Sequence, residues 1–144
     1  MEILKHAHSG LRWVALILLL IAIINAIRKK GSSNYEKKDK MINLFTMISL
    51  HTQLLLGLIL YFTSDKVKFI AGWMKQPMLR FYGMEHILLM IVALVIVTIG
   101  RKKAEKVEAP YSKHQLIAKW YLIGLILILA AIPWPFRNLG AGWF

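Results

Sequence analysis

The sequence predicts an all-α integral membrane protein: a four-helix bundle crossing the bilayer four times, with both termini on the outer (periplasmic) side. Three observations carry that expectation. The 144 residues are 58% hydrophobic, with a mean hydropathy of +0.55. A soluble domain of this size needs more polar surface to cover its core. The apolar residues gather in four long runs, each near the ~20 residues that a helix rising ~1.5 Å per residue needs to cross ~30 Å of hydrocarbon. Lysine and arginine collect between alternate runs, which is how a multi-span chain sets its topology.

Helix one is predicted over residues 3–27, around the run Leu11 to Ala26. It reads as a retained span rather than a cleaved signal. Ile24-Asn25-Ala26 is a poor cleavage site, and Arg28-Lys29-Lys30 follows directly as a stop. Gly31-Ser32-Ser33-Asn34 reads as a turn, and Glu36 to Lys40 as the charged start of the next helix. Helix two is predicted over 41–62. Along one of its sides Thr46, Ser49, Gln53 and Gly57 recur at spacings of three or four, small and polar residues that suit close packing in lipid. Residues 66–78 carry Val67, Ile70, Trp73, Met74 and Met78 at nearly helical spacing, with lysines between them. That pattern predicts a short amphipathic segment lying on the outer membrane surface. Helix three is predicted over 79–99. Helix four is predicted over 115–132, where Pro133 and Pro135 end it. Continuous rather than alternating apolar runs, rich in Leu, Ile and Ala, make barrel strands a poor alternative. The whole chain, 1–144, is a single domain.

The loop after helix one holds Arg28, Lys29, Lys30, Lys37, Lys38 and Lys40. The loop after helix three, with the first turn of helix four, holds Arg101, Lys102, Lys103, Lys106, Lys113 and Lys119. These loops are expected on the cytoplasmic side of a bacterial inner membrane. Trp13, Trp73, Trp134 and Trp143 then fall near the outer interface, where an indole is half wet. The net charge of +12 belongs to headgroup contacts of this kind rather than to nucleic acid. Cysteine is absent, which excludes disulfides, thiolate metal sites and c-type haem attachment. No GxSxG or P-loop pattern points to nucleophilic catalysis or phosphate binding.

Ionisable groups inside a span are costly, roughly 2.5–3.5 kcal/mol each, and they mark function or pair with one another. Here they are His8 and Arg12 on helix one, His51 on helix two, and Glu85 and His86 on helix three. His51 lies eleven residues below Phe62, ~16 Å at the helical rise, and His86 seven below Leu79, ~10 Å. Two neutral imidazoles from facing helices suit axial ligation of one haem b. His51 and His86 are the expected pair, with His8 a substitute for either. Arg12 would neutralise a propionate, and Glu85 would orient a ligand imidazole or pair with Arg12. The same His8, His51, His86 and Glu85 also suit a zinc or copper site, or a proton relay. His6 and His114 are expected as solvated end residues, and Asn25 as an interhelical hydrogen bonder.

The segments His8-Ser9-Gly10-Leu11-Arg12-Trp13, His51-Thr52-Gln53-Leu54-Leu55-Leu56-Gly57, Arg80-Phe81, Glu85-His86 and Ile132-Pro133-Trp134-Pro135-Phe136-Arg137 together resemble a group of small four-helix membrane proteins of Bacteroidetes-type bacteria labelled cytochrome b. The likeness spans nearly the whole chain. It implies haem binding and electron transfer in the inner membrane, with His51 and His86 at the positions of the ligands. Better-understood b cytochromes carry pairs of histidines on one helix, spaced for two stacked haems. No helix here has that spacing, so one haem at most is expected.

The leading expectation is therefore a b-type cytochrome-like electron carrier rather than a stand-alone enzyme. A quinone or respiratory-chain proteins would be its redox partners, and association of copies of this chain is compatible with the plan. Two other readings stay open. One is a non-catalytic accessory subunit whose polar cluster fixes packing. The other is a metal-binding or proton-handling membrane protein.

Overall fold

The computed structural model describes residues 1–144 and contains helices and no strands. Four helices are long and apolar enough to cross a membrane: α1 (Glu2–Lys29), α2 (Lys37–Thr63), α3 (Pro77–Lys106) and α4 (Pro110–Ala131). They outrun the predicted apolar stretches, because charged flanks with good helix propensity continue the same helices. Pro77 and Pro110 occupy the first turns of α3 and α4, where a missing N–H costs nothing. The helices pack as a ring, α1 against α2 and α4, and α3 against α4 and α2.

Both chain termini lie at one end of this ring. Thr63 at the end of α2 meets Met1, and Arg12 on α1 reaches the carbonyl of Trp143. At the other end the α1–α2 turn is pinned by Asp39, which is fully buried. It accepts hydrogen bonds from Asn25 Nδ2 at 2.8 Å and Lys29 Nζ at 3.0 Å, and from the Glu36 N–H at 2.8 Å as half of a capping box. Asn25 is thus the interhelical bonder expected of it. His114 is not the solvated end residue expected: it is fully buried. Because α4 begins at Pro110, His114 falls one turn inside the helix. Its Nε2–H donates to the Asn34 carbonyl at 2.9 Å and its ring meets Tyr35 at 5.1 Å.

Helices α3 and α4 approach most closely where glycine replaces a side chain. A Cβ on Gly100 would overlap Trp120 Cβ, and one on Gly124 would come within 2.5 Å of Val97 Cγ2. Buried Ala93, Ala104 and Ala131 continue the small-residue contact. Thr46 on α2 donates to the carbonyls of Leu18 and Ile42, the packing role its spacing predicts.

The α2–α3 connection differs from expectation. Its helical spacing yields a 3₁₀ turn at Trp73–Lys75 and no continuous amphipathic helix. Phe69 and Trp73 pack edge to face there at 5.0 Å. Beyond α4, a 3₁₀ turn at Pro135–Arg137 reverses the chain, and the last residues fold back over α1. Trp13 gathers Trp134 at 6.1 Å and Trp143 at 6.4 Å.

Candidate functional site

At the end carrying both termini the four helices enclose a partly open cavity of about 210 Å³. Its walls come from one stripe of each helix: His8, Arg12 and Leu16 on α1, then Leu50, Gln53, Leu54, Gly57 and Tyr61 on α2. Tyr82, His86, Met90 and Leu94 on α3 and Ile128 on α4 complete them. Spacings of three and four residues keep each set on one helix face. Deep in the bundle the walls are aliphatic. Toward the termini they turn polar, with Lys5, Ser9, Arg12, Lys66 and Tyr82.

Helix α3 reaches this cavity through a π-helical turn, Phe81–Glu85, set between α-helical Pro77–Arg80 and His86–Lys106. Such turns hold one residue too many for the α register and recur at functional sites. The wide turn aligns residues five apart, and this decides the partner of Glu85. Its carboxylate takes the Arg80 Nε–H at 2.6 Å, across exactly that spacing of five. Glu85 therefore neither pairs with Arg12 nor orients a ligand imidazole, as the sequence suggested. The Gly83 carbonyl in the turn is satisfied by the Tyr61 hydroxyl at 2.8 Å.

His86 follows the π turn directly. Its Nδ1 lies 2.7 Å from the Ala131 carbonyl. A carbonyl only accepts, so Nδ1 carries the proton, and Nε2 of the neutral ring keeps its lone pair. Phe81 flanks the ring at 5.6 Å. On the opposite wall, His8 meets His86 edge-on, ring centroids 6.4 Å apart and planes at 83°. His8 Nδ1 is buried with no hydrogen-bond partner. Gln53 Nε2 donates to the His8 carbonyl at 3.0 Å and ties this turn of α1 to α2. Gly57 leaves room for the imidazole, since a Cβ there would stand 3.2 Å from His8 Cε1.

His51 is not part of this site. It is half-buried along a shallow groove between α2 and α3, beside Ile91, Val95, Thr98 and Lys102. Its Nδ1–H donates to the Met47 carbonyl at 2.8 Å within its own helix. Leu50, Gln53, Leu54 and Gly57 form the cavity stripe of α2, and His51 is one residue, ~100° of helical turn, off that stripe. The pair brought together is His8 with His86. The four-residue zinc or copper set of His8, His51, His86 and Glu85 does not assemble, and no three His, Cys, Asp or Glu side chains gather as metal ligands.

Arg12 does line the cavity, as expected of it. Its Nη2 donates to the Trp143 carbonyl at 2.6 Å, which also takes the Trp13 Nε1–H at 2.9 Å, while Arg12 Nε is buried without a partner. Lys66 and Tyr82, which sequence reasoning passed over, donate to the carbonyls of Gly140 and Leu139. Burial, with Lys5 nearby, pushes the Lys66 pKa below the usual lysine value.

The site offers two imidazoles, His8 and His86, as candidate donors. Their ring centroids lie 6.4 Å apart. The enclosed volume of about 210 Å³ is below the ~300–1,000 Å³ of ordinary small-molecule sites. A macrocycle would need the polar mouth as well as the closed part. No protein-family model, curated protein or solved structure matches this chain.

Proposed function

We propose that this chain is a small multi-pass redox protein of a bacterial inner membrane, b-type cytochrome-like, holding one haem between His8 and His86. The observation that carries this reading is the edge-on imidazole pair, 6.4 Å between centroids, inside a largely aliphatic cavity. The resemblance to the cytochrome-labelled proteins, which implied His51 and His86, supports a haem reading and His86 within it; the choice of His8 over His51 is drawn from the ring pair. His86 would ligate through Nε2, held in that tautomer by Nδ1–H donation to Ala131, the outer bond that makes a histidine a better ligand. His8 would supply the second imidazole, steadied by Gln53 on its own carbonyl and admitted by the missing Cβ of Gly57.

When bound, such a group supplies one-electron transfer at iron. The protein's part is to hold both ligands and to keep the site apolar, the levers that tune such a potential. With His8 and His86 as the residues that would hold the group, the chain would serve as an electron carrier, with quinone or respiratory-chain proteins as partners. The lysine-rich loops lie at the end opposite the cavity, which under the positive-inside rule supports a cavity facing the periplasm.

The test is a visible spectrum of protein solubilised from haem-fed cells. A six-coordinate, low-spin haem is expected, lost in His8→Ala and in His86→Ala but kept in His51→Ala. Colourless wild-type protein, or a spectrum that survives both losses, would sink the proposal. The rival reading, a non-catalytic accessory subunit, draws on the His86–Ala131 bond as a plain α3–α4 staple. It predicts folded, colourless protein.

A further inference from the structure

Away from the cavity, the ring of helices has one loose seam. Gly100 and Gly124 draw α3 tightly onto α4, and its contact with α2 is the thinnest in the ring. That seam is an open trough of about 310 Å³. Ile91, Leu94, Val95, Thr98, Ile99 and Lys102 form its α3 wall, and His51 and Leu54 its α2 wall. Leu54 and Leu94 also line the cavity, so they stand between the two spaces. Polar groups of the walls are spent inside their own helices. His51 Nδ1–H donates to the Met47 carbonyl, and the Thr98 hydroxyl to that of Leu94 at 2.7 Å. What remains is a largely aliphatic surface with a cation at one end.

Length and charge point to its occupant. From Ile91 to Lys102 is eleven residues, ~16 Å at the helical rise, about half of a ~30 Å hydrocarbon core. The trough thus runs from the middle of a spanning helix to the headgroup level of one leaflet. Lys102 is exposed there, and no carboxylate lines the trough. The acids at this end belong to other lysines, Glu36 and Asp39 to Lys29 and Glu105 to Lys40, or lie exposed beyond α3 as Glu108 does. From Arg28 to Lys40 and from Arg101 to Lys119, twelve lysines and arginines stand against four acids. Such an excess attracts anionic lipid.

We propose that the α2–α3 trough binds one anionic phospholipid, an acyl chain lying along Ile91–Ile99 and the headgroup phosphate on Lys102. A zwitterionic lipid offers the same chain and phosphate, but its own ammonium competes with Lys102. The site rests on the membrane-spanning part of the reading above and not on its haem.

The full-length protein in detergent is titrated with phosphatidylglycerol and with phosphatidylcholine of identical chains, and bound lipid is counted by native mass spectrometry. One phosphatidylglycerol per chain is expected, held about fivefold more tightly than phosphatidylcholine, the factor one lysine contributes near an anionic headgroup. Lys102→Gln brings that ratio to about one. Val95→Trp fills the trough and weakens both lipids by about tenfold. Lys38→Gln, which removes an exposed cation outside the trough, keeps the ratio. The wild-type comparison needs no variant to fold, and equal affinity of the two lipids overturns the proposal. So does a preference that Lys102→Gln keeps, or lipid binding indifferent to Val95→Trp. A preference lost equally in Lys38→Gln would mark diffuse attraction to the basic loops and overturn the site. A lipid-free dimer that Val95→Trp dissociates would give the trough to a second copy of the chain, with the same consequence. Failure of the His8–His86 reading shows separately, in the haem spectrum, and leaves the lipid ratio intact.

Discussion

The two ends of this bundle handle charge in opposite ways. At the end away from the termini, the acids inside the bundle each have a cation: Asp39 with Lys29 at 3.0 Å and Glu105 with Lys40 at 3.6 Å. The buried Tyr121 hydroxyl there donates to the Asn43 carbonyl at 2.8 Å. Backbones nearby close to contact at Gly100. At the cavity end, Lys5 and Arg80 have carboxylate partners, but Arg12 and Lys66 reach only backbone carbonyls, and a void separates the helices. Buried polar atoms without a partner occur at both ends, His8 Nδ1 and Arg12 Nε at one and Asn43 Oδ1, Arg101 Nε and His114 Nδ1 at the other, so it is the cavity that sets the two ends apart. The contrast assigns stability to one end and recognition to the other.

The sharpest way to break that assignment is Gly100→Leu. Trp120 Cβ blocks any side chain at Gly100, and Cβ atoms cannot rotate away. Forcing α3 from α4 should cost about 3 kcal/mol, read as a large drop in the unfolding midpoint in detergent. A neutral outcome would show that the matched end does not carry stability. A smaller loss is expected for Tyr121→Phe, which removes the buried hydroxyl's hydrogen bond to the Asn43 carbonyl between α4 and α2. About 1 kcal/mol of stability should go, with haem affinity unchanged.

The reverse pattern is expected at the cavity end. Gly57→Ala sets a methyl 3.2 Å from His8 Cε1, a ring able to turn aside. Haem affinity should fall severalfold, about 1 kcal/mol, while the unfolding midpoint barely moves. A loss of stability with binding intact would invert the comparison.

Much of the fold was legible in the amino-acid order alone. Four runs of span length, their basic flanks and the prolines after Ile132 dictate four helices of this kind, because lipid demands internal hydrogen bonding and enough apolar residues. The same order marks His8, Arg12 and His86 as costly groups awaiting a partner. Tertiary structure decided which of them meet. One residue of phase, ~100°, takes His51 off the cavity stripe that Gln53 and Gly57 occupy. The π turn at Phe81–Glu85 matches Glu85 to Arg80, away from Arg12. The start of α4 at Pro110 buries His114, whose position in the sequence suggests solvent. Composition and run length measure what a helix must bury. The direction of each side chain depends on local winding and on the neighbouring helix, and only the assembled bundle settles both.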